Sequence, residues 1–165
     1  MRRYVIDTNV AVVANGRYEL GAGKYPSIDC QIAAIEFLQS VLENGKILVD
    51  LDGYIQTEYR RYLAPSGQPG VGDRFYQEVL MSAPNRIERI EVPVGADGEY
   101  LDLPRAIVDA GFDRSDRKFA AVAKREAAPV ANAVDSDWLH HRVILEENGI
   151  EILFLCGCDQ LRWYA

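Results

Sequence analysis

Four aspartates stand where an apolar run gives way to a helical pattern. Asp7 ends the run Tyr4 to Ile6, Asp116 opens the segment DRKFAAVA, and Asp135 and Asp137 separate the run VANAV from WLHHRVIL. A carboxylate in such a place either caps the helix, which contributes ~0.5 to 2 kcal/mol, or binds a ligand. Taken singly, Asp116, Asp135 and Asp137 read first as caps. Asp7 resists that reading, because an acid just past a strand in the middle of a sheet is itself partly buried and needs donors or a cation. A fifth acid, Glu58, lies in GYIQTEYRRYL, where Tyr54, Glu58 and Arg61 or Tyr62 share one helical face and Ile55, Tyr59 and Leu63 another. Its simplest reading is a solvated acid paired with Arg61.

Gathered in one pocket, these acids would raise one another's pKa and could not all stay ionised unaided. Divalent cations resolve the conflict, and oxygen ligands without clustered His or Cys favour Mg²⁺ or Mn²⁺ over zinc. His140 and His141 are adjacent, so on a helix they point about 100° apart and cannot chelate one ion together; they read as surface or packing residues. A pair of ions ~3.5 to 4 Å apart activates a water, holds a scissile phosphate and stabilises the leaving oxygen, which is phosphodiester hydrolysis. Arg60 and Arg61 follow Glu58, and Arg114, Arg117 and Lys118 surround Asp116, so positive charge is concentrated beside the acids. These five are candidates for phosphate contacts that position a strand, with ion pairing to the acids as the alternative. Tyr54, Tyr59 and Tyr62 offer stacking surfaces, although Tyr at helical spacing is more often core.

Bringing Asp7, Glu58, Asp116 and Asp135 together requires a fold with one functional edge. Strands at Tyr4, Lys46 (KILV), Val130 and Ile150 (IEILFLC) alternate with helical patterns, which implies parallel crossovers with helices on both faces. The expected class is α/β, a three-layer α/β/α sandwich around a mostly parallel sheet whose strand carboxyl ends face the ligand. Helices are expected over SIDCQIAAIEFLQSVLENG, capped by Ser27 or Asp29, over DGYIQTEYRRYLA, ending at Pro65, and over GDRFYQEVLMSA, capped by Asp73. Further helices are expected over SDRKFAAVAKREA, with Ser115 as its cap, and over DWLHHRVILEENG as one piece. RIERIEV alternates like a strand with one wet face, at a sheet edge or in a peripheral pairing, and Asn15 to Ser27, PSGQPGVG and PVGADGEYLDLP read as loops.

A chain of 165 residues and 18.5 kDa fits one domain over 1–165. A net charge of −7 and a pI near 4.9 exclude a protein that coats nucleic acid by bulk electrostatics, so a polyanion must be held by a local patch or by metal. No apolar run approaches the ~20 residues of a membrane span, and the N-terminus lacks a signal-peptide core, so the expected location is cytoplasmic. Cys30, Cys156 and Cys158 are odd in number, without framework spacing, and read as reduced thiols at home in a reducing compartment. The pair in CGC is a weak signal for metal or redox chemistry.

The ordered acids bring a family into view. YVIDTNV resembles the first strand of PIN-domain nucleases, which ends in an Asp followed by Thr or Ser and then Asn. TEYRRYL resembles the family's helical Glu segment, SDRKFAAVA its Asp before an alanine-rich helix, and VDSDW its last acidic segment. The resemblance runs from residue 4 to about 155 and implies that Asp7, Glu58, Asp116 and Asp135 form the acidic cluster, with Asp137 as an additional or alternative ligand. It further implies support from Thr8 and Asn9, and a 5′-phosphate and a 3′-hydroxyl as products, most often from RNA, with DNA as the alternative substrate. Ala133 departs from the Thr or Ser usual two residues before the first acid of the last segment. Single-domain members resemble toxins held inactive by an antitoxin and often dimeric, while the longer loops here fit equally a nuclease working with a larger partner such as an ATPase. Two other readings compete. A phosphatase of the haloacid-dehalogenase type needs a second Asp where this chain has Asn9, and a silent binding module would be expected to have lost acids that are all present.

Overall fold

In the computed structural model, which describes residues 1–18, 23–81 and 83–164, five strands form one sheet in the order β3-β2-β1-β4-β5, every pairing parallel. In chain order the elements are β1 (Arg2–Ile6), α1 (Thr8–Ala14), α2 (Ile28–Asn44), β2 (Gly45–Asp50), α3 (Tyr54–Tyr62), α4 (Val71–Met81) and β3 (Ile87–Ile90). There follow α5 (Arg105–Asp109), α6 (Arg117–Glu126), β4 (Val130–Asn132), α7 (Ser136–His140), α8 (Arg142–Glu147) and β5 (Ile152–Phe154). Two 3₁₀ turns, Arg114–Asp116 and Gln160–Arg162, complete the list.

The order and hand of the connections build the sandwich. Crossovers between parallel strands are right-handed, so the path β1 to β2 to β3 lays α1 to α4 on one face. The chain then returns to β4 and moves outward to β5, which lays α5 to α8 on the other. Contacts agree: α1, α2 and α4 touch one another, while α6 packs under β1, β2 and β4, and α5 meets α8. The result is the expected α/β/α class. In α2, Cys30, Ala34, Leu38 and Val41 form the buried stripe and Ser27 caps the start through the Cys30 amide, 3.2 Å away. In α6, the small Ala120, Ala121 and Ala123 are buried together with Phe119 and Val122, so this helix can sit close to the central strands. RIERIEV takes the first of its two expected places, as the edge strand β3.

Several local expectations give way. Residues 8–14, unassigned by pattern, form α1, because Asp7 caps it directly after β1. Asp73 is no cap: it lies in the first turn of α4 with its side chain fully buried. The 3₁₀ turn before α6 is capped by Asp113, which accepts from the Ser115 amide, so Ser115 is itself capped. The helix over 137–149 breaks at His141 into α7 and α8. Within the loop from Asn15 to Ser27, residues 19–22 lie outside the described ones.

The cysteines require the largest correction. Cys30 and Cys156 form a disulfide with Cα atoms 5.0 Å apart, and only Cys158 is free. Linear spacing hid the pair because 126 residues separate them, and β5 brings Cys156 back beside the first turn of α2. The argument from reduced thiols to a reducing compartment falls with this bond. Among the described residues no helix is long and apolar enough to cross a membrane.

Candidate functional site

In a doubly wound sheet the crevice opens where the chain path reverses, outside the carboxyl ends of the two strands at that point. Here those strands are β1 and β4, and the residues just beyond them are Asp7 and, after a short turn, Asp135. Helices that follow parallel strands run back against them, so their N-termini lie on this same edge. That brings Asp116, at the start of α6, and Glu58, in α3, to the crevice.

One carboxylate oxygen from each of Asp7, Asp116 and Asp135 lies within 4.8 Å of the others. Asp7 is 4% exposed and Asp116 6%. They floor a cleft of about 220 Å³, whose walls include Thr8, Asn9, Val12, Tyr18, Glu58 and Tyr62. Asp7 is held on both oxygens: Oδ1 accepts from the Asn9 amide at 2.9 Å and Asn9 Nδ2 at 2.7 Å, and Oδ2 accepts from Trp138 Nε1 at 2.8 Å. Asn9 in turn binds β4, its Oδ1 accepting from the Ala133 and Val134 amides at 2.9 and 3.0 Å. Asn9 thus locks the end of β1 to the turn that carries Asp135. Asp135 caps α7 through the Asp137 amide at 2.9 Å, and its own amide donates to Asn132 Oδ1 at 3.1 Å.

Burial and like charge dominate the electrostatics. Burial, then the Asp135 charge, pushes the Asp7 carboxyl up to about 7 despite its three donors. Burial, then the charges of Asp7 and Asp135, pushes Asp116 up to about 10. Asp135 is also raised, by burial first and by the Asp137 charge, while the bonds from the Asp137 amide and from Asp116 pull the other way. Among the described residues no Lys or Arg forms an ion pair with any of these three. The trio therefore offers several oxygens, no nitrogen or sulfur, and charge that the chain leaves uncompensated. That donor set fits Mg²⁺ or Mn²⁺.

The remaining candidates divide. Glu58 joins the cleft wall, bound to Thr8 Oγ1 and ion-paired with Lys118 Nζ at 2.8 Å rather than with Arg61. Lys118 also donates to the Ser115 carbonyl. Asp137 stands beside the trio on the far side of Asp116: it accepts from the Asp113 amide at 2.9 Å and pairs with His141 Nδ1 at 3.0 Å. With Asp113 and Asp116 it makes a second, more exposed acidic group. Arg117 is corrected from a substrate contact to a structural clamp, since Nε and Nη2 donate to the Phe112 carbonyl at 3.0 and 2.9 Å and Nη1 pairs with Glu99 at 2.9 Å. Arg60 and Arg61 are exposed in the last turn of α3, and Arg114 is 81% exposed with a long 3.9 Å approach to Glu99. Tyr59 is core, its hydroxyl donating to the Ile6 carbonyl, whereas Tyr54 and Tyr62 are exposed.

Three contributors were not singled out in the sequence. Trp138 had a signal, since a buried indole N–H needs an acceptor. So did Asn132, a polar residue inside the apolar run PVANAV. Asp113 had only its place two residues before Ser115. No protein-family model matches the chain, and no curated protein or solved structure matches it either.

Proposed function

We propose that this protein is a metal-dependent nuclease that hydrolyses phosphodiester bonds, acting on RNA as an endoribonuclease. The observation that carries the reading is the convergence of Asp7, Asp116 and Asp135, from three distant stretches, on one buried cleft with no ion-pairing cation of their own. The resemblance of YVIDTNV, TEYRRYL, SDRKFAAVA and VDSDW to PIN-domain nucleases supports the same reading and is the ground for RNA.

In this reading Asp7, Asp116 and Asp135 hold Mg²⁺ or Mn²⁺, and a bound ion supplies Lewis acidity toward a phosphate oxygen and acidifies a water. Asn9 and Trp138 fix the Asp7 carboxylate, so that its oxygens are oriented before any ligand arrives. Asn132 does the same for Asp135 through its backbone. Glu58, on the wall, is oriented by Thr8 and Lys118 and serves to position or accept a proton from the attacking water. Lys118 adds positive charge beside the developing charge on phosphate.

Incubating purified protein with labelled single-stranded RNA and DNA, with Mn²⁺ or Mg²⁺ and then with EDTA, tests the reading. RNA cleavage that needs the ion and disappears in Asp7→Asn and Asp116→Asn is expected. Cleavage in EDTA, or undiminished cleavage by both variants, would falsify it.

A further inference from the structure

Beside the acidic cleft lies a second depression of about 450 Å³, which shares Glu58 and Ser115 with the first and so adjoins it. Its composition is the opposite of the cleft's. Arg61 and Arg114 stand on its walls with Lys118 between them and the acids, and Tyr54 and Tyr100 provide aromatic surface. Tyr54 is 57% exposed, a large share for a tyrosine with no packing role in α3, whose buried face is Ile55 and Tyr59. Arg61 forms no ion pair among the described residues, and the contact of Arg114 with Glu99 is long and solvent-exposed. In a chain with a net charge of −7, Arg61 without an ion pair among the described residues and Arg114 with only a long one, beside an acidic cleft, are a local reversal of charge.

The outer wall is built rather than draped. Val94 and Tyr100 form an antiparallel bridge, closed by Gly95 N donating to the Glu99 carbonyl at 2.8 Å and Leu101 N to the Pro93 carbonyl at 2.9 Å. Gly98, at φ +82°, makes the turn at its tip. Glu99 then anchors this small hairpin to Arg117, the residue next to Asp116. The distance from groove wall to acidic cleft is thus fixed by an ion pair and not left to a free loop. Of the acids that act on Tyr100, Asp50 is buried and accepts from the Tyr54 and Ile55 amides, Glu99 is held by Arg117, and Asp52 is exposed to solvent.

We propose that this groove binds the single-stranded RNA segment flanking the scissile phosphate, its phosphates on Arg61 and Arg114 and a base against Tyr54 and Tyr100. Arginine contacts that position a strand, together with aromatic faces that stack any base, are the means by which proteins hold single strands without reading sequence. The proposal rests on the nuclease reading, and extends it by giving the strand a path: from the groove, past Lys118 and Glu58, onto Asp7, Asp116 and Asp135. It also predicts little sequence preference in the flank.

The test is binding of a fluorescent 12-nucleotide oligouridylate in EDTA, followed by anisotropy over a salt series. The wild type is compared with Tyr54→Ala, with Arg61→Ala/Arg114→Ala, and with Arg162→Ala as an exposed control remote from the groove. The double arginine variant is expected to lower the slope of log K against log salt by about 1.4, at about 0.7 per phosphate contact on a single strand. Tyr54→Ala is expected to weaken binding about 5- to 100-fold, the range for loss of one stacked base, and Arg162→Ala to change neither quantity. All these positions are exposed, and unchanged thermal melts check folding. Wild-type affinity and slope in the groove variants, no oligonucleotide binding by the wild type, or equal competition by polyglutamate would each overturn the proposal. Cleavage by the wild type in Mn²⁺ with unaltered KM in the groove variants would refute the groove and leave the nuclease intact. Absent cleavage with groove-dependent binding would do the reverse.

Discussion

Asp73 and Asp116 are both buried acids at the starts of helices, and the protein treats them in opposite ways. Asp73 accepts from the Ala64 amide at 2.8 Å, the Gly70 amide at 3.0 Å and Asn15 Nδ2 at 3.1 Å, and it pairs with Arg17. Against the burial that would raise it, these amides and the guanidinium hold its carboxyl below the ordinary range. Asp116 has like-charged neighbours instead of donors and is pushed far above that range by burial and by Asp7 and Asp135. An acid whose oxygens are all satisfied by the chain ties α4 to the α3 and α1 ends. An acid left among other acids is a site the fold tolerates, and tolerance of that kind is what a cation-binding function requires.

The largest separation between the two should appear in catalysis. Asp116→Asn is expected to cost more than the roughly 10- to 100-fold typical of groups that only orient metal ligands. Asp73→Asn should leave turnover per folded molecule unchanged, measured as RNA cleavage normalised to the folded fraction. Stability should sort them the other way. Asp73→Asn replaces one buried acceptor oxygen by a donor facing the Ala64 and Gly70 amides, which is expected to cost about 1 to 3 kcal/mol, or roughly 2 to 12 °C in Tm for a chain of this size. Asp116→Asn, melted in EDTA at pH 8, should instead gain a few degrees, because the buried carboxyl must take up a proton there that the unfolded chain gives to water, and the amide need not. A fall in its Tm would break the comparison.

Titration sharpens it further. A carboxyl raised in the folded state, as Asp7 is to about 7 from an ordinary 3.8, contributes stability that is complete below 3.8 and lost as pH rises through about 7. Asp73, being lowered, contributes stability that is present above 3.8 and lost as pH falls through its lower folded value. Metal-free protein should therefore be most stable in mild acid and lose Tm toward neutrality. Added Mn²⁺ at a hundredfold excess over its Kd should restore about 2.7 kcal/mol, at neutral pH and much less near pH 4. A Tm profile unmoved by Mn²⁺ at pH 7.5 would remove the cation from the picture. The smallest effect is expected at Asn132, which touches Asp135 only through the backbone. Asn132→Ala should weaken Mn²⁺ binding about tenfold, read by the same melts, with RNA affinity in EDTA unchanged.

What the sequence disclosed, it disclosed through periodicity. The apolar stripe of α2, the buried Ile55 and Tyr59 of α3 and the β-branched central strands each carry their own pattern, and alternation placed β3 at the edge or in a peripheral pairing. Asp7, Glu58, Asp116 and Asp135 were legible because an acid beside a buried strand or helix is anomalous. Short, irregular pieces were not. Helix α1 is seven residues whose cap is the very Asp7 that drew attention as a ligand, and α7 and α8 divide at His141, whose ring is taken up by Asp137 and Phe112. Arg117 looked like a phosphate contact because it follows Asp116 in sequence, yet its guanidinium is spent on the Phe112 carbonyl and on Glu99, which only folding brings near. The disulfide was hidden for the same reason.

That disulfide also divides the site topologically. The covalent ring closed by Cys30 and Cys156 contains Glu58, Asp116 and Asp135, while Asp7 lies on the free N-terminal tail outside it. A protease that nicks the backbone anywhere inside the ring leaves one molecule, separable only after reduction. A nick between Asp7 and Cys30 leaves a segment with no covalent tie, held by strand pairing, packing, the Arg3 ion pairs and the Tyr59, Asn9 and Trp138 bonds, and with it one corner of the acidic trio.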